Sequence, residues 1–101
     1  MLTSTILTDP AGRAVPLMPL DRISVPVLVV HHEADGCRLC AIGYMPQLMG
    51  RLPKTPKTEL ITFQGGQNVG DPCEAMAYHG FNGIEAEVIG KTTGWMLAAR
   101  P

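Results

Sequence analysis

The chain has 101 residues, 46% of them apolar, and a formal net charge of −1. That length fits one small domain, with enough apolar material for a core. Its eight Lys and Arg residues are scattered and form no basic face for nucleic acid, and no apolar run approaches the ~20 residues that span a bilayer.

The opening Met1-Leu2-Thr3-Ser4-Thr5-Ile6-Leu7 has no basic region and no long apolar segment, so it does not read as a secretory signal. Residues 4–8 are apolar and β-branched, which predicts a strand that begins almost at the first residue. Asp9-Pro10-Ala11-Gly12 reads as a turn, and residues 14–19, with two prolines, as a surface connection. Residues 23–31 carry the strongest strand signal. They are apolar on both alternating faces, as in a strand buried between helix layers of a parallel sheet. Pro26 and the valines argue against a buried helix there.

Residues 32–40 read as a polar loop. Tyr44, Leu48, Met49 and Leu52 recur at helical spacing and predict a helix over 41–51, ended by the prolines at 53 and 56. Residues 58–63 form a second strand of the buried type. The stretch 64–73 holds Gly65, Gly66 and Gly70 and reads as a loop. From Gly83 onward, Ile84, Val88, Ile89, Thr92, Trp95 and Met96 follow the 3.6-residue period of an amphipathic helix. Gly90 and Gly94 lower its propensity, so packing must hold it. The order of elements predicts an α/β fold, with three mostly parallel strands and flanking helices.

In open α/β sheets, ligand sites lie beyond the carboxyl ends of the strands. Loops 32–40 and 64–80 both leave such ends and should sit side by side. The first holds Asp35 and the second His79. A carboxylate there can accept the Nδ1–H of an imidazole, orient the ring and stabilise its charged form when Nε2 takes a proton. Glu33 is the alternative acid. Either residue alone is weak evidence, because loop aspartates are mostly solvated and histidines beside helices are common.

The surrounding text sharpens the signal. Val25-Pro26-Val27-Leu28-Val29-Val30-His31-His32-Glu33-Ala34-Asp35 resembles the strand and acid loop of the α/β-hydrolase superfamily. Tyr78-His79-Gly80-Phe81, followed by an apolar helix ending in Trp95-Met96, looks like that family's histidine loop and last helix. The resemblance covers roughly residues 4–97. It implies that 1–101 is a single partial domain, corresponding to the last three strands of the family's sheet. It also implies that Asp35 and His79 are the acid and base of a Ser-His-Asp triad for ester or acyl-bond hydrolysis, with no metal or organic cofactor. The chain departs from the family where the nucleophile belongs. Ser4 and Ser24 are the only serines, and neither lies in Gly-x-Ser-x-Gly. The chain alone is therefore expected to be inactive. With its first strand unpaired on one side, it is expected to self-associate or to need a missing N-terminal polypeptide. The implied partner of the complete enzyme is a small ester or acyl substrate, not nucleic acid or a membrane.

Under that layout Cys37 and Cys73 lie at the same end of the sheet, in adjacent loops. A disulfide between them would clip the acid loop to the histidine loop and point to relatives working outside the reducing cytosol. Three free thiols are the other reading. Cys37-Arg38-Leu39-Cys40 is also a Cys-x-x-Cys, so two further functions stay open. One is redox chemistry. The other is structural zinc held by Cys37, Cys40, Cys73 and His79, although a second Cys-x-x-Cys or His-x₃-His half is missing. A non-catalytic interaction module is a third alternative. His31 and His32 read as a strand-end pair. The glycines at 65, 66 and 70 lack the Lys of a phosphate loop and read as a flexible connection.

Overall fold

A computed structural model describes residues 1–54 and 56–99. Among these, three strands form one parallel sheet in the order β1 (Leu2–Thr3), β2 (Val27–His32), β3 (Thr58–Phe63). Helix α1 (Met45–Arg51) links β2 to β3, and helix α2 (Glu85–Ala99) follows β3. The fold is α/β, with parallel strands and flanking helices, as the order of elements predicts.

All six residues of β2 are buried, which explains its unbroken apolar run. Its alternate side chains feed two cores. Val27 and Val29 pack with Leu7, Leu20, Met45, Leu48 and Leu52 on the α1 side. Leu28 and Val30 pack with Phe63 and Phe81 on the other side, where Ile84, just before α2, and Val88 and Trp95 of α2 close over them. β2 starts at Val27, four residues later than the apolar pattern suggests. The ladder opens with Val27 N–H donating to Lys57 O at 2.8 Å, and Pro26 has no N–H to extend it backward. Val25 is consequently exposed. β3 spans the six residues expected, in register from Val27 opposite Thr58 to His32 opposite Phe63, but it is not of the buried type expected: it lies at the sheet edge and only Phe63 is buried.

Two expectations are corrected. The first strand is Leu2–Thr3, not residues 4–8. Pairing stops at Ser4, whose φ of 47° turns the backbone out of the sheet. The amides of Leu7 and Thr8 then donate to Leu39 O in the acid loop instead of to β2. Thr5 and Leu7 are nonetheless buried while Ile6 is exposed, so these residues add to the core without joining the sheet ladder. The apolar stripe of α2 is also narrower than its period implies. Ile84, Val88, Thr92 and Trp95 face the sheet, while Ile89 and Met96 are exposed. The helix before β3 begins as a 3-10 turn, Ile42–Tyr44. It buries Met45 and Leu48 and leaves Tyr44 exposed.

Candidate functional site

The acid loop leaves the carboxyl end of β2 in a tight turn, with Asp35 N–H donating to His32 O. Asp35 folds back as an Asx-turn. Its Oδ1 accepts the Cys37 N–H at 2.9 Å, which buries the carboxylate completely. A buried carboxylate needs further partners. Oδ2 faces His79 Nδ1 at 2.9 Å and His31 Nε2 at 3.6 Å. The His79 ring is partly open, with 19% of its side chain exposed. When Nδ1–H donates to Asp35, the free lone pair is on Nε2, so the pair presents an oriented base. Asp35 and His79 are thus brought together across 44 residues of sequence. Glu33 is not part of this contact. Its carboxylate accepts from Thr62 Oγ1 and Gln64 Nε2 on the exposed side of β3.

Three further contacts set the position of His79, and the sequence signalled none of them. His32 stacks on Tyr78 with ring centroids 4.4 Å apart. Its own ring is fixed by Ala34 N–H donating to Nδ1 and by Nε2–H donating to Gly65 O. The Ser4 hydroxyl donates to His79 O, which places the histidine loop over the end of β1 as well as β2. The turn Tyr78–Gly80 then ends at Phe81, in the left-handed region with φ 58°. Gly80 is required by close approach. A Cβ there would lie 2.1 Å from Ala75 O, closer than any real contact. His31 is a packing residue in part, with no exposed surface. Its Nε2 meets Cys40 O, and its Nδ1 is buried without a partner among the described residues.

Cys37 and Cys73 form a disulfide that bridges the acid loop and the histidine loop. Cys40 remains a buried free thiol. Burial, and secondarily the charge of Asp35, pushes this thiol up to about 11. A thiol of that kind is a poor nucleophile at neutral pH. With Cys37 committed to Cys73, the Cys-x-x-Cys is not a dithiol pair in this state.

An apolar hollow of about 660 Å³ lies along β3 and α1 between Ile42, Met45, Met49 and Leu60. It shares Glu33 with the acid loop but includes neither Asp35 nor His79. Ser4 touches the histidine loop, yet its hydroxyl is engaged by a backbone carbonyl and its flanks are Thr3 and Thr5. No protein-family model, curated protein or solved structure matches the chain.

Proposed function

We propose that this chain carries the acid and base of a Ser-His-Asp hydrolase, and that it corresponds to the C-terminal part of an α/β-hydrolase. Asp35 is the acid, His79 the general base, and the reaction is ester or acyl-bond hydrolysis through an acyl-serine. The observation that carries this reading is the 2.9 Å contact from a fully buried carboxylate to the Nδ1 of a partly open imidazole, at the carboxyl end of a parallel sheet. A histidine held only for packing would need no such exposure. The resemblance of the β2 strand and acid loop, and of Tyr78-His79-Gly80-Phe81, to that family adds weight.

The nucleophile is supplied from outside these 101 residues. Ser4 anchors the histidine loop to the end of β1, the outermost strand on that side, so the sheet would continue past β1's free edge toward a nucleophile strand. Substrate would be an ester or another acyl compound of small size, reaching Nε2 from the open side of the ring. Metal and organic cofactors have no part in this chemistry.

The test has two arms. The 101-residue chain is assayed against short p-nitrophenyl esters, and the genomic DNA is read in frame upstream of Met1. The expected results are no turnover by the chain alone and an upstream Gly-x-Ser-x-Gly. Turnover by the chain alone that vanishes in His79→Ala would overturn the claim that the nucleophile lies elsewhere. Open reading frame upstream without any nucleophile motif would overturn the hydrolase reading itself.

A further inference from the structure

Cys37, Cys40 and His79 each offer a potential metal-binding atom, and these atoms lie within 4.8 Å of one another. A tetrahedral zinc with ~2.3 Å bonds to sulfur needs its thiolates about 3.8 Å apart. The three groups are close enough that a modest approach would let them share one ion. In the oxidised chain Cys37 is unavailable, because its sulfur is bonded to Cys73 at 2.07 Å. That bond shows that the fold can hold Cys73 beside Cys37.

We infer that two-electron reduction of the Cys37–Cys73 bond turns this corner into a zinc site whose ligands are Cys37, Cys40, Cys73 and His79. The rigid half is the acid loop. Cys37 N–H is held by Asp35, Cys40 N–H donates to Cys37 O at 2.9 Å, and both side chains are buried. Their Cys-x-x-Cys spacing is the half-site that tetrahedral zinc centres commonly use. The adjustable half is the exposed loop of Cys73, which can move to complete the tetrahedron at little cost. A surface hollow of about 400 Å³, lined by Gly36, Arg38, Pro72 and Cys73, gives a small reductant access to the bond.

The chemistry balances. A dithiol gives up two electrons and two protons and becomes a cyclic disulfide. The Cys37–Cys73 bond breaks and both sulfurs become thiols. Zinc then displaces three thiol protons to solvent and takes a lone pair from the His79 imidazole. The centre so formed carries a formal charge of −1, as in other Cys₃His sites. In the proposed hydrolase, zinc and the acyl-transfer step would compete for His79, so reducing conditions with zinc would silence the base.

The experiment uses the purified full chain in two redox states. One sample is left oxidised. The other is reduced with a water-soluble phosphine, which is oxidised to its phosphine oxide, and is then desalted without air. Zn²⁺ is titrated against a chromophoric chelator, and Co²⁺ is used to read thiolate coordination by its charge-transfer and tetrahedral d–d bands. The expected result is one tight metal per reduced chain, none per oxidised chain, and an affinity roughly a hundredfold or more lower for reduced Cys40→Ser. Circular dichroism accompanies each titration. Zinc that restores structure to a reduced chain that has unfolded supports the site. A reduced chain that takes up no stoichiometric zinc, folded or not, overturns it. So does equal binding by the oxidised chain or by Cys40→Ser. No readout involves ester hydrolysis, so this inference and the hydrolase reading fail separately.

Discussion

Asp35 is the side chain on which the acid loop is built, because one carboxylate both closes its own Asx-turn and holds His79. Asp35→Asn keeps an oxygen for the Cys37 N–H but turns an amide NH₂ toward His79 Nδ1. The ring must then shift its proton to Nε2 or lose the contact. Imidazole ¹⁵N–¹H correlation spectra are expected to show the Nδ1–H form of His79 in the native chain and its loss in Asp35→Asn. Stability should fall by about 1–3 kcal/mol, the usual cost of a buried polar group left poorly paired. Cys40 gives a second test at this scale. Its proton is held up to about pH 11 by burial and by Asp35, so the reactive thiolate is scarce at neutral pH. Alkylation of the oxidised chain, followed by mass spectrometry, is expected to be slow at pH 7.5 and to keep accelerating beyond pH 9, where an ordinary thiol levels off. A plateau near pH 9 would show that Cys40 lies in open solvent.

The elements show how far the residue pattern reaches. β2 was legible because a strand buried on both faces leaves an unbroken apolar run, and Pro26 marks where the ladder can begin; β3 was placed correctly, but as an edge strand it buries only Phe63. The first strand was misplaced because residues 4–8 are apolar and β-branched, as strand residues are. What ends β1 is the backbone at Ser4, φ 47°, and serine is no marker for that conformation. The order of Asp35 and His79 after successive strands was legible. Their support was not, since the His32–Tyr78 stack and the Ser4 hydroxyl on His79 O join residues 46 and 75 apart with no local signal. Gly80 belongs to the same level. Ala75 O lies where its Cβ would stand, so Gly80→Ala must push the Tyr78–Gly80 turn away from that carbonyl. A stability loss of about 1–3 kcal/mol or more is expected in thermal unfolding. The His79 Nδ1–H signal should be lost even at temperatures where the variant is folded. An unchanged imidazole spectrum would mean that the turn does not set the ring.

At the scale of the whole molecule, three strands and two helices make a thin fold, and several large apolar side chains stay outside it. Leu17, Val25, Ile89 and Leu97 are each more than half exposed. The Cys37–Cys73 bond compensates for the small core by tying together residues 36 apart in sequence. In the chain-entropy account, closing that loop stabilises by about 4 kcal/mol, a large share of what a domain this size can hold. Denaturant unfolding with and without phosphine, in metal-free buffer, is expected to show that loss. A midpoint that reduction leaves unmoved would show that the bridge contributes nothing. The bridge also fixes the relative position of the two loops on which the proposed acid and base sit.

The most direct measurement of the central claim is covalent labelling by a fluorophosphonate, which reacts only with a serine activated by a base. It is applied to the 101-residue chain and to the same chain extended by its in-frame upstream residues. The account predicts no label on the short chain. In the extended protein it predicts stoichiometric label on the serine of a Gly-x-Ser-x-Gly, abolished by His79→Ala and severely slowed by Asp35→Asn. Label on Ser4 or Ser24 of the short chain, or labelling of the extended protein that is indifferent to His79, would contradict it.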